Sequence, residues 1–207
     1  MISRTTRGYL THYETPQGTY LVTFRLNDSL PAQLLEQWKE ELQLREKQNK
    51  HDKEVLSQYE YDYLFKIENY LDTNAGKCWL KDPEIASVVA NTLGYFDHQR
   101  YTLHCWTIMP NHVHVLFTLS PKVKLSSVMH SWKSFSAHKA NQILSRTGTF
   151  WQREYFDRLI RSGRQFEFSL RYVLNNPVNA GLCKEVGQWP WTRCAADYQE
   201  LAYRFLE

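Results

Sequence analysis

Residues 101–119 read Tyr-Thr-Leu-His-Cys-Trp-Thr-Ile-Met-Pro-Asn-His-Val-His-Val-Leu-Phe-Thr-Leu. Two runs rich in β-branched and aromatic types, 101–109 and 112–119, flank the turn dipeptide Pro110-Asn111. That is the pattern of a β-hairpin. Side chains alternate faces along a strand, so Val113, Val115 and Phe117 turn one way and His112 and His114 the other. The first set is predicted to meet a core. The second places two imidazoles with Cα atoms about 6.5–7 Å apart, close enough to converge on one ion. Two ordinary histidines on an exposed strand face would look the same, and the pair alone does not choose.

Outward from the hairpin the period changes. Upstream, Asp82-Pro83 starts a helix with Asp82 as N-cap, whose apolar face is Ile85, Val88, Val89, Leu93 and Phe96. Asn74-Ala-Gly76 breaks a preceding helix marked by Tyr59, Tyr63, Ile67 and Tyr70 or Leu71. Residues 40–54 are very polar, a solvated helix end or a connection, after a helix opened by Pro31 and carrying Leu34, Leu35, Trp38 and Leu42. Residues 19–26 read as a strand. Downstream, Leu125, Val128, Trp132, Phe135, Ala140 and Ile143 have helical spacing over 125–145. A short extended segment lies within 149–160. A helix over 164–175 is then stopped by Pro177. This order predicts an α+β fold with a mainly antiparallel sheet.

The chain has 207 residues, enough for one domain. Its 43% hydrophobic and 23% charged residues exclude a disordered or collagen-like chain. No apolar run is long enough for a membrane span, and the first residues lack a signal-peptide pattern. The four cysteines, Cys78, Cys105, Cys183 and Cys194, form no Cys-x-x-Cys pair. They are expected as reduced thiols of a cytoplasmic protein, with Cys105 in the core.

Charge is unevenly spread. Residues 1–99 hold 11 basic and 15 acidic side chains, and residues 100–207 hold 14 and 7. Such a split suggests a face that meets polyanions, although a merely solvated surface would also carry it. Lys122, Lys124, Lys133, Arg153, Arg158 and Arg161 are the candidates to hold phosphates. Trp132, Trp151 and Tyr155 either stack on unpaired bases or pack in the core, with Trp151 in the more polar context.

Neighbours of the histidine pair exclude some chemistries. A histidine-triad hydrolase needs His at 116, and a His-x-His-x-Asp-His hydrolase needs Asp there; the residue is Leu116. His104 would pair near Phe117, too far from His112 to join it. A second motif lies downstream, Tyr172-Val-Leu-Asn-Asn-Pro-Val-Asn-Ala-Gly-Leu182. Asn176 follows Tyr172 by four residues, so both sit on one side of a helix. A tyrosine hydroxyl can be a covalent nucleophile, and an amide oxygen can bind a hard cation. A core tyrosine is the plain alternative.

Met109-Pro-Asn-His-Val-His-Val115 resembles the His-hydrophobic-His signature of the HUH single-tyrosine transposases. Residues 172–182 resemble their catalytic-tyrosine helix, and Gly148–Arg158 the piece that joins the two. Gly8–Tyr13 and Tyr20–Pro31 are similar to the REP-associated tyrosine transposases, a chromosomal branch of that family. The resemblance covers about 1–31 and 77–190, leaving about 40–76 as a helical embellishment of a single catalytic domain spanning 1–207. It implies a ferredoxin-like sheet, His112, His114 and Asn176 around Mg²⁺ or Mn²⁺, and Tyr172 as nucleophile. The implied activity is cleavage and rejoining of single-stranded DNA at hairpin-forming repeats through a 5′-phosphotyrosine. A short tetranucleotide 5′ of the hairpin is the expected recognition element. A nucleoid-associated location is implied, and a homodimer is left open. The rival readings are a hairpin-binding protein without catalysis and a metal-dependent nuclease that uses water.

Overall fold

The computed structural model describes residues 3–7, 10–49 and 53–203. Strands β1 (Ser3–Arg7) and β2 (Leu10–Glu14) form an antiparallel ribbon where the sequence suggested no element. Strand β3 (Thr19–Arg25) is followed by helices α1 (Ala32–Gln48), α2 (Lys53–Asp72) and α3 (Pro83–Gly94). The hairpin is β4 (Tyr101–Ile108) and β5 (His112–Leu119). Helix α4 (Leu125–Ile143), β6 (Phe156–Ile160) and α5 (Gly163–Asn179) come next. The last elements, β7 (Thr192–Cys194) and α6 (Ala196–Tyr203), were not anticipated.

Five strands make one antiparallel sheet in the order β6-β3-β5-β4-β7, and the α+β expectation holds. Strand alternation sorts its residues by face. Val22 and Phe24 of β3, Trp106 and Ile108 of β4, and Val113, Val115 and Phe117 of β5 join the main core with residues of α3 and α4. Trp132 of α4 is fully enclosed there, and its Nε1 donates to Tyr101 Oη at 2.8 Å. Tyr101 Oη in turn donates to the Leu93 carbonyl at 2.7 Å, so two buried polar groups are satisfied together. On the other face Leu170, Val173 and Leu174 of α5 pack on Cys105 and Leu116. His112 and His114 lie on that α5 face. A register shift at His104 bends β4 beside β5, and His104 Nε2 bonds Thr118 Oγ1 at 2.7 Å, away from the histidine pair.

Helices α1 and α2 close on a cluster of Leu30, Leu42, Tyr63, Ile67 and Leu71, with Phe156 of β6 packed against it. The polar stretch after residue 40 does not interrupt α1. Glu41 takes both Arg45 and Lys66 at 2.7 Å, which tie it within α1 and across to α2. Gly76 ends the excursion with φ +87°, where a Cβ would stand 2.6 Å from the Asp28 carbonyl oxygen. Only glycine fits that turn.

Two local expectations are corrected. Phe135, assigned to the apolar face of α4, is 54% exposed because it lies off the Val128–Trp132 stripe that meets the sheet. Pro177 does not stop α5, which runs to Asn179. Proline removes one backbone donor near the helix end, yet its ring is buried and the bonds Ala180 N–H to Asn176 and Leu182 N–H to Pro177 close the terminus.

Candidate metal and nucleophile site

Strand β5 brings His112 and His114 together at 1% and 0% exposure. Their Nε2 atoms are 2.9 Å apart with the rings nearly perpendicular. The other ring nitrogens are held from behind. His112 Nδ1 is 2.7 Å from Asn111 Oδ1, and Asn111 Nδ2 donates to the carbonyls of Leu71 and Ala75 at 3.0 Å each. Those two carbonyls can only accept, so Oδ1 is the acceptor facing His112 and His112 Nδ1 carries the proton. The lone pair of His112 is thereby placed on Nε2. Thr23 Oγ1, opposite on β3, bonds His114 Nδ1 at 2.7 Å. Burial keeps both rings neutral, pushing His112 well below the usual imidazole range and His114 down to about 3. Neutral, back-bonded imidazoles with convergent nitrogens are what a cation needs.

Helix α5 brings Tyr172 over the pair. Ser162 caps the helix by accepting from Gln165 N–H at 3.2 Å, and the Tyr172 ring stands edge-on to His114 at 5.2 Å between centroids. The two motifs therefore meet within one chain. The Tyr172 hydroxyl is buried without a well-formed hydrogen bond, although the Glu68 carboxyl stands beside it. Burial raises the phenol above its ordinary value, and the Glu68 and Asp72 charges raise it further, while Arg158 acts the other way. Asn176, one turn on, is 3% exposed, and its Oδ1 has no hydrogen-bond partner. Imidazole nitrogens and an amide oxygen are donor types that suit a divalent ion taking N and O ligands.

Sequence reasoning missed the acidic side of this site. Glu68 and Asp72 come from α2, four residues apart and so on one helix face. Asp72 Oδ1 is buried, lacks a hydrogen bond and lies 4.0 Å from His112 Nε2. Burial lifts Asp72 to about 6. It lifts Glu68 to about 7, with Asp72 adding to the rise and Tyr172 and Arg158 opposing it. The only local signal was the i, i+4 spacing of two acids in a helix otherwise read as an apolar stripe. Asn111 was read as a turn residue, yet it sets the tautomer of His112.

The expected DNA contacts divide. Lys122, Lys124, Arg153, Arg158 and Arg161 are exposed. Arg158 lies over the Tyr61 ring at 5.8 Å and near enough to act on Glu68 and Tyr172. Lys133 is corrected: its Nζ donates to the carbonyls of Gln152 and Arg153 at 2.6 and 2.7 Å, and burial lowers it to about 8. Trp151 is corrected too. It is 4% exposed, packs edge-on against Phe24 and donates from Nε1 to Ser136 Oγ at 2.9 Å. A bridge between Leu26 and Trp151 folds this polar-looking segment inward. Trp132 and Tyr155 are also core residues.

With this geometry in view, residues 80–176 match the family described as "Transposase IS200 like". The match takes in both histidines, Tyr172 and Asn176. Within that family the similarity is to REP-associated tyrosine transposases, as the motifs indicated. The chain is 25% identical over 93 residues to one from Escherichia coli K12, covering 44% of this chain and 53% of that protein. A Haemophilus influenzae protein that carries the same name provisionally is 24% identical over 117 residues, covering 52% of this chain and 66% of that one. The chain thus spans about half the length of the first relative. A solved REP-associated tyrosine transposase bound to a REP hairpin is similar over 92% of this chain and 81% of its own, at 18% identity and a TM-score of 0.49.

Proposed function

We propose that this chain is a divalent-metal-dependent transposase or endonuclease that cuts and rejoins single-stranded DNA through Tyr172. The observation that carries the reading is the meeting of the 2.9 Å Nε2 pair with the Tyr172 ring on one sheet face. The family match over 80–176 supports the reaction class.

His112, His114 and Asn176 would hold the ion. When bound, it would polarise a phosphate oxygen and so favour attack at phosphorus. The protein's own residues do the rest. Asn111 and Thr23 fix the imidazoles, and α5 holds the Tyr172 ring against His114. Tyr172 Oη attacks phosphorus and its proton passes to Glu68, the carboxylate beside it. The P–O3′ bond breaks, and the departing 3′ oxygen takes up a proton to become a 3′-hydroxyl. The phosphoryl group stays on the tyrosine as a 5′-phosphotyrosine, so a new 3′-hydroxyl can displace it without an outside energy source. Arg158 offsets the negative charge that Glu68 and Asp72 impose on the phenol. The last turns of α2 set Glu68 beside Tyr172 and Asp72 beside His112, so a phosphate would approach the pair past that end of α2.

The test is incubation with labelled single-stranded hairpins and Mn²⁺. The wild type forms an adduct that survives denaturant, EDTA stops it, and either histidine changed to alanine removes it. Tyr172→Phe loses the adduct while keeping DNA binding, with packing changed by no more than about 1 kcal/mol. Cleavage by Tyr172→Phe at the normal rate would point to water as the nucleophile.

A further inference from the structure

The helical embellishment is more than a cover. We infer that Asp72, on the last turn of α2, is an additional ion ligand that meets the histidine pair from the side opposite β5. This rests on the metal-dependent reading above. Asp72 lies outside residues 80–176, so the family signature does not supply it.

Three observations carry the assignment. First, His112 Nε2 is an acceptor, because its Nδ1 proton is committed to Asn111 Oδ1. Without an ion that lone pair accepts the His114 Nε2 proton at 2.9 Å, a proton whose place an ion would take, and Asp72 Oδ1 stands 4.0 Å from the same nitrogen. Second, Asp72 Oδ1 is buried and has no hydrogen bond, although buried carboxylate oxygens are normally satisfied. Asn176 Oδ1, 3% exposed on the neighbouring helix, is orphaned in the same way. Third, the spacings suit an ion. In an octahedron with bonds of about 2.1 Å, adjacent donors stand about 3.0 Å apart and opposite donors about 4.2 Å. The 2.9 and 4.0 Å separations match an adjacent and an opposite pair. Among the described residues, no group of three His, Cys, Asp or Glu side chains is arranged to hold an ion as it stands, so the set also needs the orphaned Asn176 amide oxygen.

The anchoring of Asp72 fits this use. Asn111, which orients His112, also clasps the Leu71 carbonyl beside Asp72. The same amide therefore registers a strand ligand and the helix that carries the carboxylate.

The experiment is Mn²⁺ titration of the full chain, following the free-ion electron paramagnetic resonance signal, with melting temperature recorded with and without Mn²⁺. The wild type should bind one ion. Asp72→Asn, nearly isosteric, should raise the dissociation constant about tenfold or more. It should also shrink the Mn²⁺-dependent rise in melting temperature while melting no lower than wild type in chelator. Asp72→Ala provides a second variant with no donor and should weaken binding at least as much. Unchanged Mn²⁺ affinity in both variants overturns the assignment and leaves the histidine site intact. Absence of Mn²⁺ binding by the wild type would instead overturn the metal-dependent reading itself.

Discussion

At the scale of single residues, the site sets buried acids against buried bases, and stability should record both. Glu68 is raised from 4.5 to about 7, mainly by burial. A raised acid holds its proton in the folded state after the unfolded chain has lost it. Its contribution is therefore complete below about pH 4.5 and is lost as pH rises through 7. His112 and His114 are lowered, so their contribution is present above the unfolded imidazole range, near 6.5, and is lost progressively as pH falls from there through the folded value, about 3 for His114. Glu68→Gln should then stabilise the chelated protein at pH 8 by about 1–3 kcal/mol and leave it nearly unchanged at pH 4.5. Calorimetry in EDTA at the two pH values checks this, and an equal gain at both would show that ionisation is not the cause. The two histidines were legible in the sequence because strand alternation alone puts His112 and His114 on one face. Glu68 and Asp72 were not, because their role comes from a contact between residues 40 or more positions apart, which no local pattern encodes.

Elements were legible wherever the apolar period was strong. The β4–β5 hairpin, the Asp82 cap and the α4 stripe all follow from side-chain spacing, and each was found within a few residues. The segment from Gly148 to Arg158 was misread because its polarity is local while its burial is tertiary. Lys133 and Trp151 staple this segment to α4, one by its ammonium on two carbonyls and the other by a ring against Phe24. Trp151→Ala should cost about 3–5 kcal/mol in denaturant melts, the range for emptying a core aromatic. Lys133→Met should cost about 1–3 kcal/mol by leaving buried acceptors unpaired. By contrast Lys122→Gln and Lys124→Gln, both on exposed side chains, should stay within about 0.5 kcal/mol of wild type. If Trp151→Ala weakened DNA binding without loss of stability, a base-stacking role would return. Pro177 shows a boundary that local rules place too early: its buried ring offsets the missing donor and carries α5 past Asn176.

Across the whole molecule, charge and burial would decide which DNA could react under the proposed function. Among the described residues no helix is long and apolar enough to cross a membrane. The basic excess lies in residues 100–207, which contribute the hairpin, the Tyr172 helix and the exposed Lys122, Lys124, Arg153, Arg158 and Arg161. With Lys133 committed to carbonyls and the aromatics of 132–155 in the core, recognition under the proposed function would fall to phosphate contacts rather than to base stacking by these rings. Binding should therefore fall steeply with salt, by about 0.7 in log K per log salt for each phosphate neutralised on a single strand. Lys122→Gln with Lys124→Gln should lower that slope by about 1–1.5 if both side chains meet phosphates. Phosphate contacts alone would accept duplex, but the site itself would not. The imidazoles are almost fully enclosed and the Tyr172 hydroxyl is buried, and a stiff duplex cannot press one phosphate into so enclosed a site. A flexible single strand beside a folded stem can. We therefore expect cleavage of a hairpin carrying a single-stranded 5′ flank, little cleavage when the flank is deleted, and none of plain duplex. Gel-shift and cleavage assays on the three substrates at matched salt make the comparison. Equal cleavage of all three would mean that strandedness is not read, and the transposase-like reaction would have to be given up.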